Sequence, residues 1–178
     1  WFAIPKYQNY SLKATAITGD GTIIPSMAIN TIKDLSGNDN TASTSTDNTV
    51  VLDTVKPDVT INQAVSETVG TCTFAAQSDP EGTLPIEYRV TFDEDINATT
   101  FVVGDVTNAG TGGGGALTWQ ITNCGDATNF KLEAITAITP DGTIIPELAA
   151  GTVADPAGNT STVYTTADNS ITYDTTGP

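Results

Sequence analysis

"TAITGDGTIIPSMAINTIKDLSGNDNTASTSTDNTVVLDTVKP" (residues 15–57) lies without a gap over "TAITPDGTIIPELAAGTVADPAGNTSTVYTTADNSITYDTTGP" (136–178), and 22 of the 43 aligned positions are identical. A self-match of this length at a fixed offset of 121 residues marks an internal repeat, and a repeat decides architecture before any single motif does. Residues 58–178 then form one complete copy, and residues 1–57 hold only the closing part of a preceding copy. Half a copy cannot enclose a two-layer core. Its missing strands are therefore expected from upstream in a longer chain or from another subunit.

Thr fills 33 of the 178 positions and Gly 16, against six Lys and Arg together. β-Branched residues are plentiful and helix formers scarce, which predicts an all-β protein. Within the complete copy, alternation and turn punctuation give eight short strands: 59–63, 71–76, 86–92, 101–107, 116–122, 130–138, 161–166 and 170–174. That number, separated by Gly, Pro, Asn and Asp turns, fits a Greek-key β-sandwich. In "IEYRVTF" (86–92), Ile86, Tyr88, Val90 and Phe92 alternate with Glu87, Arg89 and Thr91, which predicts one buried and one wet face.

The net charge of −15 leaves too few cations to neutralise phosphates, so neither nucleic acid nor an anionic membrane is an expected partner. Residues 58–178 carry sixteen of the acids against only Arg89 and Lys131. No apolar run reaches the roughly 18 residues that cross a bilayer. No signal peptide is visible, and the start at Trp1 reads as a cut or processed end. Cys72 and Cys124 are consistent with one disulfide and an oxidising compartment, or with two core thiols.

The segments "VTINQA", "LPIEYRVTFDEDI", "GDGTIIP", "DPAGNTST", "TSTDNTV" and the closing "DTTGP" together resemble the bacterial immunoglobulin-like repeats of large secreted surface proteins and adhesins. The likeness runs over nearly the whole chain. It implies an immunoglobulin-like fold in tandem units, residues 1–57 and 58–178, on the surface of a cell. It further implies a stalk that holds other domains away from the cell, with calcium stiffening its joints. "VSETVGTCTF" (65–74) stands out as an insertion relative to that repeat.

Calcium takes six to eight oxygen ligands, and acids gathered at turns could supply them. Asp93, Asp95 and Asn97 present D-x-D-x-N, although Ala98 and Gly104 exclude an EF-hand. From the strand order, the loops 93–100 and 123–129 and the turn 167–169 are expected at the pole where the chain enters. Asp155, in "DPAGN", and Asp174 are expected at the opposite pole. Their counterparts in the first copy, Asp34, Asn38 and Asp53, would then face the acidic loops of the second, with Asp58 beside them. Pro57 fixes φ in the connection and limits swivelling. The same acids also read as ordinary solvated turns, and the Gly of "SGN" and "AGN" as a turn position needing positive φ.

With no His in the chain, a Ser-His-Asp or Cys-His arrangement is excluded, as is a zinc site built on His. "GTGGGGA" (110–116) lacks the Lys and Ser/Thr of a phosphate loop. Trp119, Tyr88 and Phe92 could stack on a sugar, but their inward parity favours the core. Sequons at Asn9, Asn97 and Asn159 fit surface turns. A non-catalytic structural protein is expected, its partners being neighbouring repeats of the same chain or copies of itself in a filament. A carbohydrate-binding module is the third alternative.

Overall fold

The computed structural model describes residues 9–115, 117–136 and 138–178. Ala116 and Ala137, which the expected strands 116–122 and 130–138 include, lie outside the described residues. The chain is all-β and divides into two compact units, Trp1–Thr54 and Val55–Pro178.

The larger unit is organised by an antiparallel sheet of four strands. These are β3 (Val59–Gln63), β6 (Ile86–Phe92), β8 (Trp119–Asn123) and β9 (Asn129–Ala134), in the spatial order β3-β6-β9-β8. One face of the sheet is built by strict alternation. Val59 and Ile61, then Ile86, Tyr88, Val90 and Phe92, then Phe130 and Leu132 are each at most 2% exposed. Three short two-stranded ladders complete the unit. β10 (Gly142–Ile144) pairs with β12 (Ile171–Tyr173), β11 (Pro146–Leu148) with β7 (Val106–Asn108), and β4 (Glu67–Val69) with β5 (Cys72–Phe74). Ile144, Leu148, Val153 and Ile171 close over the sheet and share one hydrophobic cluster with it. The Tyr88 hydroxyl, carried into that core, donates to the Ile144 carbonyl at 2.9 Å. Burial, followed by the charges of Asp79 and Asp168, holds its ionisation far above the ordinary range.

The expected wet face of β6 is wet only in part. Glu87 is 6% exposed because the β4–β5 hairpin lies across that side of the sheet. Its carboxylate accepts the Ala75 N–H at 2.8 Å and pairs with Lys131 at 2.6 Å, while the Lys131 ammonium stands 5.7 Å from the Phe74 ring centre. Burial opposes the charge on Lys131, yet hydrogen bonds to Glu87 and Glu133 raise its pKa on balance. Beneath the hairpin, Ala64, Cys72, Phe74 and Cys124 form a second, small hydrophobic cluster. Cys72 and Cys124 are joined by a disulfide with a Cα separation of 4.9 Å. Gly70 turns the hairpin at φ +55°, and a Cβ there would fall 1.9 Å from the Cys124 carbonyl oxygen, so only glycine fits.

Other departures from the expected strands have local causes. Residues 161–166 form no strand; they run parallel to β3 through a single bridge between Thr60 and Thr165. Residues 101–107 break into one 3-10 turn, Val103–Asp105, followed by β7. "GTIIPEL" holds two strands, β10 and β11, where glycine and proline signal turns. Pro146 is tolerated as the first residue of its strand, a position proline can occupy in a sheet.

Among the described residues, the smaller unit contains one ladder, β1 (Gly21–Ile23) with β2 (Val50–Leu52). Its hydrogen bonds recur in the larger unit at the offset of 121. Gly21 faces Leu52 as Gly142 faces Tyr173. Asn48 Nδ2 donates to the Pro25 carbonyl at 2.8 Å, and Asn169 Nδ2 to that of Pro146 at 2.9 Å. Thr54 N–H donates to Asp20 at 3.0 Å, and Thr175 N–H to Asp141 at 2.9 Å. Burial does not recur. Ile32 and Val50 are more than half exposed and Met27 nearly so, where their counterparts Val153, Ile171 and Leu148 are fully buried.

Candidate functional site

The turn acids singled out in the larger unit lie at its two poles, but not as the strand order suggested. β3 runs away from the end where the chain enters and β6 returns to it. Asp58 therefore meets Asp93, whose Oδ1 accepts the Asp58 N–H at 2.7 Å. Asp155 belongs to this proximal pole and not to the opposite one. The Asn97 N–H donates to the Ala154 carbonyl at 2.8 Å, and Thr162, seven residues past Asp155, donates its hydroxyl to Asp58 at 2.6 Å. The turn 167–169 is displaced in the other direction, and Asp168 accepts from Gln63 at the far end of β3. The physical reason is the pair of strands hidden in "GTIIPEL". They carry the chain back to the proximal pole before Asp155, after which residues 160–168 run alongside β3 instead of against it.

Asp174 lies at the distal pole, as expected. Its Oδ1 accepts the Thr176 N–H at 2.9 Å, and its own N–H donates to the Glu81 carbonyl at 3.0 Å. Nearby, Asp141 accepts from the hydroxyls of Thr175 and Thr176. The N–H of Thr175 is the first of the bonds that hold the Asp141 carboxyl below the usual range. Asp174 is thus separated from Asp58, Asp93 and Asp155 by the length of the sheet.

The D-x-D-x-N spacing does not gather its oxygens. Asp93 Oδ1 faces the Asp58 backbone, while Asn97 Oδ1 turns to the N–H and hydroxyl of Thr99, at 3.2 and 2.7 Å. Among the described residues, Asp58, Asp93 and Asp95 join no group of three carboxylates within chelating distance. The residue brought to Asp155 is Glu94, with a carboxylate oxygen of each within 4.8 Å of the other. Glu94 was legible through parity. Continuing the inward positions of β6 past Phe92 places residues 94 and 96 inward, and Ile96 is indeed 3% exposed.

Asp155 is the most buried carboxylate at this pole, at 2% exposure. Burial alone would raise its pKa. The side-chain amide of Asn159, then the N–H groups of Asn159, Gly158 and Ala157, outweigh burial and hold it below 3.8. Asn159 donates from its backbone to one oxygen and from its side chain to the other, each at 2.8 Å. Gly158, at φ +94°, turns the chain so that its N–H reaches the Asp155 carbonyl. Both carboxylate oxygens therefore organise the turn. Together with the Glu94 carboxylate, whose oxygen lies within 4.8 Å, they make a pair of hard oxygen donors of the kind that calcium accepts.

In the smaller unit, Asp34 and Asn38 build the same turn. Asn38 N–H and Nδ2 donate to Asp34 at 2.8 and 2.9 Å, and Gly37 stands at φ +86°. The Asn38 amide is the chief cause of the lowered Asp34 pKa. Asp53, one residue past β2, is half-buried. The aromatic residues weighed for sugar stacking are in the core, Tyr88 and Phe92 at 2% exposure or less and Trp119 at 8%.

Compared with protein-family models, with curated proteins and with solved structures, the chain matches none.

Proposed function

We propose that this chain is a structural, non-catalytic segment of an extracellular stalk or filament, built from tandem immunoglobulin-like repeats of about 121 residues. The observation that carries the reading is the recurrence, at that offset, of one set of hydrogen bonds. The Asp-to-Asn turn, the Asn-to-Pro brace and the Asp-to-Thr clasp each occur twice in equivalent places. A chain that repeats a folding unit and holds no His repeats a mechanical element more readily than an active site. The disulfide fits an oxidising, extracellular setting. Among the described residues no helix is long and apolar enough to cross a membrane. The deciding experiment is the mass of the reduced, denatured polypeptide from its native source. Many multiples of 18.4 kDa are expected, and a mass near that figure would sink the stalk reading.

A second reading rests on the exposed apolar side chains of residues 9–54, and makes the chain a filament subunit completed by its neighbours. It predicts self-association that rises with concentration. The calcium component falls on Glu94 and Asp155 at the proximal pole, with Asp58, Asp93, Asp95 and Asn97 around them. Calcium is expected to raise the melting temperature of the Val55–Pro178 unit and a chelator to reverse the shift. Identical melting curves with and without calcium would remove this component.

A further inference from the structure

The self-match extends further back than residue 15. "NYSLKA" (9–14) lies over "NFKLEA" (129–134) at an offset of 120, with Asn, Leu and Ala identical and Tyr in place of Phe. A single additional residue, Ile135, restores the offset of 121 from Thr15 onward. Residues 129–134 are β9, the strand with β6 on one side and β8 on the other. Its apolar residues, Phe130 and Leu132, are 1% and 0% exposed. Their counterparts Tyr10 and Leu12 are 84% and 82% exposed, and residues 9–14 form no strand. The same reversal holds across the face that closes over the sheet. Met27 is 46% exposed against 0% for Leu148, Ile32 55% against 0% for Val153, and Val50 60% against 0% for Ile171.

We infer that Asn9–Ala14 is a latent β9-type strand. With the apolar side chains of residues 17–50 it forms the docking surface for a β3-β6-β8-type sheet that precedes it in the same polypeptide. This inference rests on the tandem-repeat reading above, and it specifies the register. In the complete unit Val90 faces Phe130, Tyr88 faces Leu132 and Ile86 faces Ala134. Carried over, the β6-type strand sets its three inward apolar residues opposite Tyr10, Leu12 and Ala14.

The source follows from two features of the larger unit. Only five residues, 124–128, separate β8 from β9, so a β8-type strand reaches this position as the immediate chain neighbour of a β9-type one. A second copy of residues 55–178 has no such sheet to offer. Its β6 is already hydrogen-bonded to β3 and β9, with its inner face closed in the core, and lending it would unfold the donor.

The test fuses a copy of residues 58–128 directly ahead of Asn9, giving a chain with two full complements of strands, and measures amide hydrogen exchange beside the unextended chain. In the fused chain, Ser11, Lys13 and the β1–β2 ladder are expected to gain protection by about 100-fold or more. Leu12→Asp should abolish that gain and leave the Val55–Pro178 unit unchanged. If the fused chain shows no new protection while that unit stays folded, the docking surface is wrong, whatever the mass of the native polypeptide. If the unextended chain acquires the same protection as its concentration rises, the occupant is a second copy and the assignment to a preceding segment fails.

Discussion

The ladder of β1 with β2 and the ladder of β10 with β12 have the same antiparallel register and opposite surroundings. Val50 and Ile171 occupy equivalent places; one is 60% exposed and the other fully buried. The braces around the two ladders match within 0.1 Å, from Asn48 to Pro25 at 2.8 Å and from Asn169 to Pro146 at 2.9 Å. Backbone and polar side-chain bonds within the closing segment are therefore set by that segment. Burial of its apolar side chains is not, because it needs a covering four-stranded sheet, which among the described residues only the larger unit has. Such bonds add modest net stability in water, whereas burying a Leu or Ile side chain adds roughly 1.5–3 kcal/mol.

The largest break in this comparison should come from the disulfide, which has no equivalent among residues 9–54. Replacing Cys72 and Cys124 by Ala frees a loop of 52 residues and should destabilise the larger unit by about 4 kcal/mol, read from denaturant unfolding. A pair of equivalent truncations comes next. Leu148→Ala should lower the stability of that unit by about 3 kcal/mol, while Met27→Ala should change unfolding by less than about 0.5 kcal/mol. Equal effects would mean that Met27 is as enclosed as Leu148.

The smallest effect concerns the repeated turn. Asp155→Ala removes both acceptors of Asn159 from a buried site and should cost about 1–2 kcal/mol; Asp34→Ala should leave the unfolding of the larger unit unaltered. The pH dependence has a definite sign. The folded pKa of Asp155 lies below its unfolded value of 3.8, so its contribution is complete above that value and is lost as pH falls through the folded pKa. Asp155→Asn should accordingly flatten the fall in stability below pH 3.8, and an acid-unfolding curve of unchanged slope would contradict this.

Two strands, 59–63 and 86–92, were legible to the residue, because apolar and polar side chains alternate over the first four positions of the one and all seven of the other, with one face in the core. The all-β class followed from composition. The turns of "SGN" and "AGN" followed from glycine, whose positive φ is observed at Gly37 and Gly158. Strands of three residues escaped, since "GTI" and "PEL" are too short for a period to register and begin with residues that signal turns. That omission reversed the poles assigned to Asp155 and to residues 167–169. The buried Glu87 escaped for a different reason: parity correctly places it on the outer face of its sheet, but parity does not say that a hairpin covers that face.

By itself the sequence determined the β class, the polar turns and the candidate cysteine pair, which depend on residue type or on neighbours a few positions apart, and it showed the self-match at an offset of 121. Only the tertiary structure decided which acids meet. Glu94 and Asp155 are 61 positions apart in the chain and converge because β6 ends at the pole to which β10 and β11 return. It also decided which copies of the same apolar residues are buried. A side chain leaves water only when a second layer covers it, and that layer is drawn from strands far away in sequence.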